Sequence, residues 1–189
     1  MPEPLAADRL KWSVPDYHRL VEAGILGDRR VELLGGDLIE MSLETPIHYS
    51  TAKQDARYLE SLLSGKADVR FNGPITLVDS EPEPDIAVVR LPDSQYETRH
   101  PGLQDIYWLI EIAKTSFATD RVVKAAIYAA AGIPEYWIVH LAERQLYVLR
   151  SPRQHQYTEE SVLSVGTIQP LAFPEVAIAV EKLLLHPGG

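Results

Sequence analysis

A nearly continuous apolar run at residues 106–113, IYWLIEIA, limits the possible folds more than any other feature of the chain. A strand this apolar has to be covered on both faces, which is typical of an interior strand in an α/β sheet. The helical stretch RVVKAAIYAAA follows, with Thr119 as its predicted N-cap and Gly132 as its predicted end, and the strand-like EYWIVHL comes next. Strand, helix and strand with short connections predict a right-handed crossover that makes the two strands parallel.

Turn residues and hydrophobic spacing predict the remaining elements. A helix capped by Ser13 should extend to Gly27, a hairpin should turn at Gly35-Gly36, and a second helix should run from Pro46 to Leu63. Further strands are expected at 69–71, 75–78, 86–89 and 145–150, with another strand or two and an amphipathic piece, IAVEKLLL, in the tail. These elements predict a mixed α/β sandwich with helices on a central sheet. Residues 12–189 are expected to form one domain after an N-terminal extension, 1–11.

Charge balance and cysteine content exclude several functional classes. The 189 residues include 18 Lys+Arg and 27 Asp+Glu, so the net charge is −9 and no broad basic surface is expected. The absence of cysteine excludes disulfides and thiolate chemistry, and the six histidines lack the spacing of a zinc helix. The start resembles no signal peptide, and no apolar run approaches the roughly 20 residues of a membrane span. We therefore expect a cytoplasmic protein without membrane contact.

Two carboxylates stand out because of their surroundings. Glu111 interrupts the apolar strand, where an unpaired carboxylate is costly, so it should be paired, protonated or bound to a cation. Asp85 opens the strand IAVV directly after Pro84. If the two strands adjoin, both carboxylates and the backbone carbonyl of Ile112 could meet at one Mg²⁺ or Mn²⁺ ion. The structural alternatives are an ion pair for Glu111 and a turn role for Asp85.

A lysine beside these carboxylates would complete a hydrolytic site. Lys114 is nearest in sequence, but strand alternation predicts that it points away from Glu111 if the strand stays regular. Lys124 lies in the early turns of the following helix, and its side chain should lean back toward Glu111. Its alternative role is an i,i+4 salt bridge with Asp120 on the helix surface.

These residues carry a family resemblance. Pro84-Asp85, Ile110-Glu111-Ile112-Ala113, Asp120-Arg121 and Lys124 together resemble the PD-(D/E)XK restriction-endonuclease-like superfamily. More narrowly, the chain is similar to the Uma-two family of bacterial endonuclease-like proteins. The matching segments cover about residues 12–184 and are VELLGGDLIEM, the Pro46/His48 pair, SEPEPDIAVV, RHPG, LIEIAKTSFATDRVVKAAIYAAAGIPEYWIVHL and PLAFPEVAIAV.

The resemblance implies a restriction-endonuclease-like fold, a mixed β-sheet flanked by helices, and roles for individual residues. It implies that Asp85 and Glu111 bind the metal and that Lys124 is the motif lysine, moved onto the helix because Ala113 occupies the usual lysine position. Glu32 matches an early glutamate of the family and is a fourth catalytic candidate. His48, Asp120 and Arg121 also match family positions, although capping or pairing is the preferred interpretation for His48 and Asp120. Lys114 and His140 depart from the family pattern.

The leading functional hypothesis is metal-dependent hydrolysis of nucleic-acid phosphodiester bonds. Mg²⁺, or alternatively Mn²⁺, is the expected cofactor, DNA the expected substrate and a homodimer the expected assembly. Candidate phosphate contacts are Arg29, Arg30, Lys53, Arg57, Arg70 and Arg121. The acidic net charge favours the alternative of a catalytically silent nuclease fold that binds nucleic acid or protein. Carbohydrate hydrolysis by two carboxylates would leave the lysine unexplained.

Overall fold

A computed structural model describes residues 10–41 and 43–184 of the chain, and its centre is a mixed sheet. The strands are β1 (Val31–Leu34), β2 (Asp37–Glu40), β3 (Asp68–Phe71), β4 (Ile86–Val89), β5 (Ile106–Ala113), β6 (Glu135–His140), β7 (Gln145–Arg153), β8 (Gln156–Leu163), β9 (Thr167–Ile168) and β10 (Ile178–Ala179). The helices are α1 (Val14–Glu22), α2 (Pro46–Leu63), α3 (Phe117–Thr119), α4 (Ala125–Ala131) and α5 (Val180–Leu184). A π-helical segment, Asp120–Lys124, joins α3 to α4 without a break.

The central sheet has the strand order β3-β4-β5-β6-β7-β8. β5 and β6 are parallel, with Glu111 opposite Ile138, and the other neighbouring strands of this sheet are antiparallel. The β1–β2 hairpin and the β9–β10 pair are separate two-stranded ladders. The predicted mixed α/β sheet with a parallel crossover is thereby confirmed.

Alternation along β5 divides the hydrophobic core between the two faces of the sheet. Trp108, Ile110 and Ile112 pack into a cluster with α2 and α5. Leu109 and Ala113 belong to the opposite cluster, which includes Ala125 and Tyr128 of α4. Burying each large apolar side chain contributes roughly 1.5–3 kcal/mol, so the two clusters fix β5 firmly between the helical layers. Glu111 therefore points toward the side of α4.

Local sequence signals account for the helix boundaries near the site. Thr45 caps α2, accepting a hydrogen bond from the backbone N–H of His48, and Pro46 occupies the first turn. The bounds of α2 agree with the prediction. The helix after β5, in contrast, begins at Phe117, and Thr119 makes no side-chain capping bond. The prediction of a Thr119 cap was therefore wrong. Gly132 ends α4 with a positive φ of 84°, as predicted.

Two other expectations require correction. Residues 75–78 form only an isolated bridge at Thr76, because Ile75 and Leu77 donate their backbone N–H groups to Pro82 and Ser80 of the following turn. α1 has the predicted capping box at Ser13 but ends at Glu22, before Gly27, and Val21 and Ile25 of its expected apolar face are largely exposed.

The predicted N-terminal extension lies outside the described residues except for 10 and 11, and the last residue of IAVEKLLL also lies outside them. Within residues 10–41 and 43–184, no helix combines the length and apolar character needed to cross a membrane.

Candidate active site

An acidic cavity of about 330 Å³ opens where the β1–β2 hairpin, the start of α2, the start of β4 and the carboxyl end of β5 meet. Its acidic lining residues are Glu32, Glu40, Glu44, Glu83, Asp85, Glu111 and Asp120. Its basic lining residues are Arg30, His48, Lys114 and Lys124. Such an excess of carboxylates in one cavity favours the binding of cations.

The pairing of β4 with β5 brings Asp85 and Glu111 to the same cavity. Ile86 lies opposite Ile110 in this antiparallel ladder, so Asp85, one residue earlier, lies near Glu111. Asp85 Oδ2 accepts a hydrogen bond from the backbone N–H of Ile112 at 2.6 Å. This bond fixes the Asp85 carboxylate at the edge of β5, where an ion could reach it.

Lys124 and Tyr128 both bind Glu111. Lys124 Nζ donates to Glu111 Oε1 at 2.9 Å, and the hydroxyl of Tyr128 donates to the same oxygen at 3.0 Å. Lys124 is only 7% exposed and Glu111 only 4% exposed, so the pair is shielded from solvent. The alternative of a solvent-exposed surface salt bridge for Lys124 does not describe this geometry.

The π-helical segment places Asp120 and Lys124 toward the cavity together. A π-helix has a wider turn than an α-helix, and such segments are frequent at functional sites. Asp120 and Lys124 are buried, whereas Val122 and Val123 between them are exposed. Asp120 Oδ2 accepts a hydrogen bond from the Ser116 hydroxyl at 2.6 Å. Asp120 and Lys124, four residues apart, thus share the inward face of this segment, and Val122 and Val123 face outward.

Burial and charge act in opposite directions on the central pair. Burial would lower the pKa of Lys124, but Glu111, Glu32 and Asp120 outweigh it and raise that pKa, so the side chain stays an ammonium. For Glu111, burial raises the pKa of the carboxyl, and Lys124 acts against this shift. Burial also raises the pKa of Asp120, again opposed by Lys124. Lys124 therefore serves as the counter-charge for several carboxyl groups.

Glu32 reaches the cavity from the β1–β2 hairpin. It is 6% exposed, and its Oε2 lies 3.7 Å from Lys124 Nζ. The same oxygen accepts a hydrogen bond from the backbone N–H of Glu83 at 3.2 Å. The structure thus brings Glu32, Asp85, Glu111, Asp120 and Lys124 to one cavity.

His48 lies between two carboxylates. Its Nε2 is 3.1 Å from Asp85 Oδ2, and its Nδ1 is 3.2 Å from Glu44 Oε1. Burial lowers the pKa of His48, but the hydrogen bonds and charges of Asp85 and Glu44 outweigh it, so the net shift is upward. Glu44 did not emerge as a site residue from the sequence. The spacing of Glu44 and His48 at the predicted start of α2 was the signal that could have identified it.

Of the other basic residues considered from the sequence, some line the cavity and others do not. Arg30 lines it and lies 3.4 Å from Glu83. Lys114 lines it too; β5 ends at Ala113, so the regular strand on which its predicted outward direction depended does not extend to it. Arg121 is absent from the cavity lining and pairs with Glu160 of β8 at 2.7 Å. Arg29, Lys53, Arg57 and Arg70 do not line the cavity either.

The mixed sheet and the position of the cavity define a nuclease-like α/β fold. The chain is similar to the crystal structure of "a putative nuclease belonging to DUF820" from Anabaena variabilis ATCC 29413, with a TM-score of 0.71 and 19% sequence identity. The alignment covers 90% of this chain and 96% of that chain, and at this identity the likeness establishes the fold.

The sequence identifies the family. Residues 14–181 match Uma2, described as "Putative restriction endonuclease", and the chain therefore belongs to the Uma2 family. The resemblance noted in the sequence is confirmed. No curated protein matches the chain with significant similarity.

Proposed function

We propose that the chain is a divalent-metal-dependent endonuclease that hydrolyses phosphodiester bonds in nucleic acid, with DNA as the substrate. Asp85, Glu111 and the backbone carbonyl of Ile112 would hold Mg²⁺ or Mn²⁺. The observation that carries the proposal is the buried contact between Lys124 Nζ and Glu111 Oε1 beside Asp85. Family membership supports the same reaction class.

The donor set fits a hard divalent ion. Both hydrogen bonds described for Glu111 end on Oε1, and the Asp85 carboxylate lies in the same cavity. Carboxylate and carbonyl oxygens are the ligands that Mg²⁺ and Mn²⁺ accept. When bound, such an ion supplies Lewis-acid polarisation of a phosphate oxygen and activation of water.

The residues of the chain would divide the remaining tasks. Lys124 would offset negative charge that develops on the phosphoryl oxygens, because its raised pKa makes it an ammonium rather than a base. Tyr128 holds Glu111 in position through its hydrogen bond. The backbone N–H of Ile112 does the same for Asp85, and Glu32 stabilises the positive charge of Lys124 from the other side.

The acidic lining of the cavity favours a second candidate function. Without an ion, seven carboxyl groups would repel a phosphate, so the fold could bind a partner without cutting nucleic acid. A homodimer that combines the few basic side chains of two copies in one groove would lessen this repulsion. Metal-dependent cleavage is therefore the property that separates the two functions.

Nicking of supercoiled plasmid at low salt tests the proposal. We expect cleavage with Mg²⁺ or Mn²⁺, none with EDTA, and a loss of at least about 100-fold in Asp85→Asn and Glu111→Gln. Lys124→Gln should lose activity as well, with its folding checked separately because Glu111 would lose its buried counter-charge.

The matched control is Glu175→Gln, which removes an exposed carboxylate that pairs with Lys66 away from the cavity. Its activity should equal that of the wild type. Equal activity in Glu111→Gln would contradict the proposed site. Metal binding by the wild type without cleavage of plasmid or single-stranded DNA would support the non-cutting alternative.

A further inference from the structure

We propose that Glu44 and His48 are ligands of the ion at Asp85 and that they give the centre a preference for Mn²⁺ over Mg²⁺. The inference deepens the proposed function and rests on it, since it concerns the ligands and identity of the same ion.

The geometry of three side chains carries the inference. One ligand atom from each of Glu44, His48 and Asp85 lies within 4.8 Å of the other two. Among residues 10–41 and 43–184, this is the one group of three or more His, Asp or Glu side chains with such spacing. Asp85, Glu111 and Glu32 share the cavity but do not form a second group of this kind.

The starts of α2 and β4 bring the three ligands together. Glu44 and His48 flank the N-cap of α2, and Asp85 is fixed by its 2.6 Å bond from Ile112 N–H. Of the two structural roles preferred for His48, pairing is present in the structure, with Glu44 and Asp85, whereas capping is performed by the Thr45 side chain. The His48 imidazole therefore does not cap the helix. Its two ring nitrogens face the carboxylates of Glu44 and Asp85, which come from different parts of the chain.

Ligand chemistry determines the expected metal. Mg²⁺ prefers oxygen ligands in near-ideal octahedral geometry and retains several waters. An imidazole nitrogen suits first-row transition metals better, and carboxylates accept Mn²⁺ readily. One nitrogen with two carboxylates therefore favours Mn²⁺ over Mg²⁺, whereas Asp85 and Glu111 alone would give no nitrogen ligand.

Calorimetry on the full chain with Mn²⁺ or Mg²⁺ as the only titrant tests this selectivity. We expect the wild type to bind Mn²⁺ at least about 10-fold more tightly than Mg²⁺. His48→Gln should lose about 10-fold or more in Mn²⁺ affinity while its Mg²⁺ affinity changes little, and Glu44→Gln should weaken both. Glu175→Gln, on the exposed Lys66 pair, should match the wild type. Equal Mn²⁺ affinities in the wild type and His48→Gln would overturn the inference.

A spectroscopic measurement on the wild type avoids any folding defect of the variants. Electron spin echo modulation of the Mn²⁺-loaded chain should show ¹⁴N coupling from the His48 ring, and its absence would contradict the assignment. Nitrogen coupling without plasmid cleavage would support the metal ligands and reject the nuclease. Metal-dependent cleavage with no ¹⁴N coupling would support the nuclease and reject His48 as a ligand. No binding of either metal would reject both proposals.

Discussion

Asp55 lies on the buried face of α2, outside the cavity, and none of the described residues gives either carboxylate oxygen a hydrogen bond. Burial raises the pKa of its carboxyl well above the ordinary value. The unfolded chain releases this proton near pH 4, whereas the folded chain retains it to higher pH. Because the folded state binds the extra proton, Asp55 makes folding stability fall as pH rises above about 4.

Substitution of Asp55 by Asn should remove this pH-dependent loss. We expect Asp55→Asn to raise the free energy of unfolding by about 1–3 kcal/mol at pH 7.5 and by much less at pH 4. Urea unfolding at several pH values measures the difference. Glu60→Gln removes an exposed carboxylate from the same helix and should change stability by less than about 0.5 kcal/mol at either pH. A destabilised Asp55→Asn would show instead that the carboxylate makes bonds through water.

The crossover helix α4 ends at a glycine whose left-handed backbone conformation is unfavourable for residues that carry a side chain. Gly132 has a φ of +84°, and a Cβ added there would meet no atom within 4 Å. Gly36, in the hairpin turn, has a φ of +78°, and its added Cβ would lie 2.9 Å from Lys11 Cβ. An alanine at position 132 would therefore strain only the backbone. An alanine at position 36 would strain the backbone and also clash with Lys11.

Alanine substitution should reveal this difference. Gly132→Ala should lower the free energy of unfolding by about 1 kcal/mol, since only the left-handed backbone is strained. Gly36→Ala should cost more, because Lys11 has to move as well. Chemical denaturation compares the two variants, and Mn²⁺ titration should leave the affinity of Gly132→Ala unchanged. An equal or smaller loss for Gly36→Ala would refute the steric component.

The elements that the sequence predicted well are those where periodicity and end signals agree. β5 and α2 have the expected bounds because a continuous apolar run and a capped amphipathic helix each admit one structure. Residues 75–78 were predicted as a strand because Ile75 and Leu77 are apolar. Both are indeed buried, but their backbone groups pair within a turn. Hydrophobicity therefore predicted burial there and not strand pairing.

Site contacts could be predicted from the sequence where the two residues lie in neighbouring elements, and not where they are far apart in the chain. The approach of Lys124 to Glu111 follows from the local order of strand and helix. Local spacing pairs Glu44 with His48 at the start of α2, but the placement of this pair beside Asp85 depends on how α2 docks against β3 and β5 of the sheet. The direction of Lys114 was predicted only for a regular strand, and β5 ends one residue before it.

At the scale of the whole molecule, acidity limits the contact with nucleic acid. The net charge is −9, and among the described residues the cavity has only Arg30 and Lys114 as basic side chains outside the Lys124–Glu111 pair and His48. Few phosphates can then be neutralised by the chain itself. Each neutralised phosphate contributes about −0.9 to the slope of log affinity against log salt concentration.

Two or three phosphate contacts predict a shallow salt dependence of DNA binding. With Mn²⁺ present, affinity for a short fluorescein-labelled duplex should fall by about 10- to 40-fold between 50 and 200 mM salt, against 10³ or more for 6–10 contacts. Anisotropy measures it, with the duplex checked for cleavage after each titration. Lys114→Gln should reduce the slope by about 1. Lys66→Gln, whose lysine pairs with Glu175 away from the cavity, should leave it unchanged. A slope of log affinity against log salt concentration steeper than −6 would mean that nucleic acid binds a basic surface elsewhere on the molecule. A slope that does not change in Lys114→Gln would mean the same.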